Sequence, residues 1–143
     1  MPRRITLLRH GHAEEHSDDF TRELSPAGRA AASRAGEALK HAGWVPATIV
    51  SSAAPRALAT AQLAARACGY TGRIHAERGL YLASDTRYLA TLREAPAHAA
   101  SVLLVAHNPG LTQLARDLCG FEGDLAPAEY ASVELELDSW SDL

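Results

Sequence analysis

Arg9, His10, Gly11 and His12 stand directly behind the apolar run that begins at Ile5, in "ITLLRHGH". A buried strand has no need of a permanent cation, two imidazoles and a glycine at its end, so these residues are read first as chemistry. Three more apolar runs end on polar groups of the same kind. Arg56 lies shortly after "ATIVSS", Glu77 closes "GRIHAE", and His107 closes "SVLLVAH". Arginine presents a planar fork of donors that matches phosphate oxygens. Arg56 falls in the first turn of an expected helix, where the positive end of the macrodipole disfavours a cation, and a nearby anion would resolve the conflict. Asn108, Pro109 and Gly110 open another helix immediately after His107, and its N-terminal N–H groups also favour an anion. Two histidines beside two fixed cations suit a division of labour. One imidazole attacks phosphorus and carries the phosphoryl group until water removes it, and the other is a phosphoryl ligand; no metal and no cofactor is needed for this.

Other readings of these residues stay open at this stage. Gly11 serves close approach of the backbone to a ligand, or it is a plain turn glycine. Glu77 reads equally as a general acid at a strand end or as a loop carboxylate facing water. His12 and His10 form an HxH pair that, with His107, would suit a zinc hydrolase, although the neighbouring arginines would repel a dication and no further ligand has a typical spacing. Ser51 and Ser52 fit capping or ligand-bonding hydroxyls, since no GxSxG elbow supports a serine nucleophile. His16, His41, His75 and His98 read as ordinary surface residues. Glu14, Glu15, Asp18 and Asp19 read as a solvated acidic loop, with one of the aspartates bonded to Arg22. Neither GxxxxGK[ST] nor a GxGxxG after a strand occurs, which removes the usual support for a nucleotide fold.

The elements that must hold these residues alternate along the chain. Strands are expected at 4–9, 47–52, 72–77, 101–107 and 130–138, and helices at 24–43, 54–69, 84–95 and 108–120. Ser25 and Pro26 give a helix start and Gly43 a helix end. The βαβαβαβαβ order predicts an α/β fold: a single open three-layer αβα domain over residues 1–143, with a mainly parallel sheet and an antiparallel edge strand. In such sheets ligands bind beyond the carboxyl ends of the strands. That rule gathers Arg9, His10, Gly11, Arg56, Glu77 and His107 on one edge.

Composition narrows the partners. The net charge is −3 and Lys40 is the only lysine, so neither nucleic acid nor an anionic membrane is expected to bind. Cys68 and Cys119 have no CxxC partner and read as small thiols in a reducing compartment. The basic start "MPRRITLLRHG" lacks the apolar length of a signal peptide. A cytoplasmic, monomeric protein is the expectation.

"LLRHGHAE", "SSAAPRALATA" and "VLLVAHNPG", with "DDFTRELSPAGRAAA" before the first long helix, resemble the motifs of the histidine phosphatase (phosphoglycerate mutase-like) superfamily. The similarity spans most of the chain, and the motifs come in the family's order. The resemblance implies that His10 is the phosphorylated nucleophile, that Arg9 and Arg56 clamp the phosphoryl group, and that His107 is a further phosphoryl ligand. The short length is similar to the SixA-like branch, which implies a phosphohistidine phosphatase acting on a phosphorylated protein. A small phosphate ester is the alternative substrate, and a phosphate-binding module without turnover the alternative function. Only about two dozen residues separate Glu77 from the fourth strand, enough for one helix and its turns, so the site is expected to be shallow and open, without an enclosing cap.

Overall fold

A computed structural model describes all 143 residues. The elements follow the expected alternation: β1 (Pro2–Arg9), α1 (Pro26–His41), β2 (Thr48–Ser52), α2 (Pro55–Cys68), β3 (Ile74–Glu77), α3 (Asp85–Arg93), β4 (Ser101–Ala106), α4 (Gly110–Cys119) and β5 (Tyr130–Glu136). The five strands form one sheet in the order β3-β2-β4-β1-β5. All pairings are parallel except β1 with β5, which places the antiparallel strand at an edge.

Local sequence explains the boundaries. The Ser25 hydroxyl accepts from the Gly28 N–H, and Pro26 occupies the first turn, where a missing N–H costs nothing. Gly43 and Gly69 follow α1 and α2 with φ of +74° and +87°, a left-handed stop that other residues adopt only with strain. Along β4 the side chains alternate between faces. Val102, Leu104 and Ala106 join a core with Leu92, Leu111 and Leu114 from α3 and α4, while Leu103 and Val105 join a second core with Leu39 and Ala61 from α1 and α2. The abundant alanine has its use in that second layer. A Cβ added at Gly36 would stand 2.3 Å from the Ala64 carbonyl oxygen, so α1 and α2 approach until backbone meets backbone.

Two features lie outside the sequence expectations. The acidic segment before α1 contains a 3-10 turn over Asp19–Thr21, started by an Asp18 carboxylate that accepts from Phe20 N. Beyond β5 another such turn buries Trp140, whose indole N–H donates to the Ala99 carbonyl. The Arg3 guanidinium lies 5.2 Å from the centroid of that ring and donates to the carbonyls of Ala97, Ala99, Leu137 and Asp138, which ties the chain end to the start of β1. No helix is long and apolar enough to cross a membrane.

Candidate active site

The parallel register of β1 and β4 pairs Arg9 with Ala106, so the next residues, His10 and His107, leave adjacent strands side by side. The His10 N–H donates to the Ala106 carbonyl at 3.2 Å, and the imidazole centroids are 5.1 Å apart. His10 Nδ1 lies 2.7 Å from the carbonyl oxygen of Gly11. A carbonyl only accepts, so Nδ1 carries the proton and the lone pair of the neutral ring sits on Nε2. His107, 1% exposed, has its Nε2 2.7 Å from Ser52 Oγ, and that oxygen also accepts from Ala54 N.

Arginines surround the pair. Arg56 is 2% exposed; its Nη1 donates to the Asp19 carbonyl at 2.7 Å and its Nη2 to Asp19 Oδ2 at 3.1 Å. Arg22 reaches the other carboxylate oxygen of Asp19 at 3.2 Å and also donates to the Glu14 carbonyl. Asp19 therefore supplies a negative charge at the start of α2, the place where the cation at position 56 called for one. Tyr81 donates to Asp19 Oδ2, lies under the Arg56 guanidinium at 5.7 Å, and meets the His107 ring edge-on at 5.5 Å. Arg9 is tethered through Nη1 to the Leu125 carbonyl at 2.9 Å. Three buried side-chain nitrogens have no hydrogen-bond partner: Arg9 Nε, Arg56 Nε and His107 Nδ1. Unsatisfied buried donors are costly in a protein interior, and here all of them belong to this one cluster.

Arg9, His10, Asp19, Arg22, Arg56 and His107 line a common cavity of about 350 Å³. Burial, reinforced by the charges of Arg56, Arg9 and Arg22, pushes the His10 imidazole down to about 4, against the opposing pull of the Gly11 hydrogen bond. Burial, the proximity of His10 and the Arg56 charge push His107 down to about 3. Both rings are thus neutral at pH 7. Asp19 is held at about 2, chiefly by the Tyr81 hydroxyl and further by Arg22 and Arg56. The cavity therefore combines fixed cations with an unprotonated imidazole nitrogen, the requirements for binding an oxyanion and attacking its central atom.

The structure brings Arg9, His10, Arg56 and His107 together and places Gly11 and Asn108 beside them. Gly11 does not adopt positive φ. A Cβ there would meet the Gly28 carbonyl oxygen at 2.7 Å, so the close approach that requires glycine is to α1. Asn108 uses Oδ1 to accept from Thr112 N and Oγ1 and Nδ2 to donate to Leu125 O, which fixes the opening of α4. Glu77 is not brought to the cluster and does not line the cavity. Its half-exposed carboxylate lies 3.6 Å from Arg87, because β3 is the outer strand beyond β2 and its end lies away from the β1–β4 pair. The alternative of a loop carboxylate facing water describes it better than that of a general acid. His12 Nδ1 is 2.8 Å from Ser25 Oγ, the hydroxyl that caps α1, and no group of three His, Cys, Asp or Glu side chains is arranged to hold a metal ion.

Three members of the cluster were not singled out from sequence as site residues: Asp19, Arg22 and Tyr81. Asp19 and Arg22 carried a signal, since both lie in the "DDFTREL" stretch before α1. Tyr81 carried none, because only the path of the chain after β3 turns its ring toward His107.

The site can now be compared with known proteins. No curated protein sequence matches the chain. Among solved structures, a candidate phosphohistidine phosphatase SixA from Agrobacterium tumefaciens is 28% identical, with 92% of this chain and 91% of that chain covered and a TM-score of 0.83. A second candidate SixA, from Nakamurella multipartitia, is 25% identical over 99% of this chain and 89% of that one, also with a TM-score of 0.83. A protein histidine phosphatase SixA complexed with tungstate shares the fold at 21% identity, with 94% and 88% coverage and a TM-score of 0.73. The family model of the histidine phosphatase superfamily (branch 1) matches residues 5–81, the stretch that runs from β1 through Arg56 to Tyr81. By that match the chain belongs to the histidine phosphatase superfamily.

Proposed function

We propose that residues 1–143 form a phosphohistidine phosphatase that works through a covalent phosphohistidine on His10, without a metal. The observation that carries this reading is the His10 ring. Its Nδ1 proton is committed to the Gly11 carbonyl, its Nε2 is left with a lone pair, and its environment keeps it neutral far below pH 7. In the first step Nε2 forms a bond to phosphorus while the bond to the leaving nitrogen breaks. The electron pair goes to that nitrogen, and because the substrate ring carries a proton on its other nitrogen it leaves as neutral imidazole. In the second step a water oxygen attacks phosphorus and gives up a proton to solvent, the Nε2–P bond breaks with its electron pair returning to Nε2, and orthophosphate leaves with neutral His10 restored. Arg9, Arg22 and Arg56 balance the charge on the phosphoryl oxygens, and His107, neutral and adjacent, is the further ligand.

Phosphohistidine is favoured as substrate by the absence of a carboxylic acid at the reaction centre. Asp19 is the one carboxylate lining the cavity, and its neighbours keep it ionised, so it has no proton to give. An alkoxide leaving group needs such a proton, whereas an imidazole leaving from a P–N bond is far less basic. The two unpaired cysteines fit a reducing compartment, and we place the protein in the cytoplasm.

Rapid quench with a labelled phosphohistidine substrate should trap an acid-labile, base-stable adduct on His10. Formation of that adduct by His10→Ala, or activity that a chelator abolishes and zinc restores, would refute the mechanism. A kcat/KM for a phosphate ester more than tenfold above that for phosphohistidine would refute the substrate while leaving the phosphatase.

A further inference from the structure

Two residues other than glycine hold left-handed backbone, Leu82 with φ of +48° and Ala128 with φ of +63°. Both border the site. Ala128 has a local reason for its conformation, since its N–H donates to the carbonyls of Arg9 and His10 at 3.1 Å each. Leu82 has no comparable bond. Its conformation is disfavoured for a branched side chain, and glycine or asparagine would adopt it at lower cost, so the side chain itself needs a reason.

The Leu82 side chain offers one. It is 53% exposed, and the other exposed large apolar residues, Met1 and Val45, line neither the cavity nor the space beside it. Leu82 lines both the phosphoryl cavity and an adjoining groove of about 810 Å³, which runs past the first residues of α3 and α4. Exposed Pro109 borders the groove and exposed Pro127 the cavity. The rest of the groove is polar, with Asp85, Gln113, Arg116 and Asp124 along it, so Leu82 is the one large apolar side chain on the rim of the charged hole. A small phosphorylated metabolite would fill the hole and leave the rim wet, while the surface of a phosphorylated protein would cover both.

We propose that Leu82 is an apolar docking contact for the protein that carries the phosphoryl group, with the groove receiving the chain on one side of the phosphorylated residue. The inference rests on the reading of the cavity as a phosphohistidine phosphatase site and names the surface that sets its preference for protein over small molecule.

The test uses a folded protein carrying one surface phosphohistidine, made with phosphoramidate, and free phosphohistidine as its small counterpart. Leu82→Gly and Leu82→Asn both suit the left-handed backbone. Each should lower kcat/KM for the phosphoprotein about tenfold relative to that for free phosphohistidine, mainly through KM, as expected for truncating a central interface contact. In a His10→Ala background, which removes turnover, the same changes should weaken phosphoprotein binding by a similar factor and leave orthophosphate binding alone. An unchanged ratio in both variants, or equal loss for the two substrates, overturns the docking role. If the unaltered chain turns over neither substrate, the phosphatase reading fails, and the binding comparison alone decides the role of Leu82.

Discussion

Substituting His107 with glutamine should remove much of the sensitivity of this fold to mild acid. The imidazole is 1% exposed and is held at about 3, whereas in the unfolded chain it titrates near 6.5. Between those values the unfolded state binds a proton that the folded state refuses, so the contribution of His107 to stability falls as pH drops through that window. Going from pH 7.5 to 4.5 should cost about 2.5 kcal/mol from this residue, at about 1.4 kcal/mol per pH unit once the pH is below the unfolded value. His10, held at about 4, should add a loss of similar size over the same interval. The two are not independent, since each ring raises the cost of charging the other. Urea unfolding of the unaltered protein and of His107→Gln at pH 7.5 and 4.5 reads this directly. The variant should lose about 2.5 kcal/mol less on acidification, roughly a seventyfold difference in the change of the folding constant. Equal losses in the two proteins would mean that His107 is protonated in the folded state, and the electrostatic description of the cavity would be wrong.

The same low values govern activity. kcat/KM should stay level from pH 7 down to about 5, because the proposed attack needs His10 neutral and that ring is held at about 4; an acid limb centred at about 6.5, measured with a substrate stable in that range, would contradict this. Arg56→Ala should lower kcat/KM by two powers of ten or more, and Arg56→Lys should recover little of it because lysine lacks the planar fork that reaches Asp19 and an anion together. Glu77→Gln should change turnover of phosphohistidine and of phosphate esters by less than about threefold, since loss of an exposed ion pair is worth under 1 kcal/mol; a selective loss on esters would restore Glu77 to the reaction. Gly28→Ala should lower stability by about 1–3 kcal/mol and slow turnover, because the new methyl would stand 2.1 Å from the His12 carbonyl oxygen and push the reacting loop off α1; a melting temperature and rate equal to those of the unaltered chain would show that the contact is slack.

The sheet was legible because strand periodicity and helix punctuation are local signals. β1 ends on Arg9 and β4 on Ala106, immediately before His10 and His107 and within a residue of the expected boundaries, and parallel pairing then puts their ends together. Arg56 was legible for a different reason, as a cation placed where a helix terminus disfavours one. The anion that answers it turned out to include Asp19, 37 residues earlier in the chain; the "DDFTREL" stretch marked that carboxylate, but nothing local announces that it folds back onto α2. Tyr81 and Leu82 were illegible on the same ground, since their places are set by the turn after β3. Glu77 shows the limit of the strand-end rule. It collects residues by edge of the sheet but does not rank them by distance from the switch in strand order, and an outer strand contributes least.

The spacing of the two imidazoles is a property of the backbone ladder. Because His10 and His107 extend neighbouring strands in register, their separation is fixed by the hydrogen bonds between β1 and β4 and owes little to the helices on either face. Those central strands are where amide exchange should be slowest. Heating, or loosening of an outer helix, should therefore leave the two imidazoles side by side until the sheet itself parts, whereas loosening of α2 would first carry away Arg56. A designer could recut the outward faces of the helices around this pair, provided Arg56 keeps its place at the start of α2 and the residues opposite one another on the two strands stay in step.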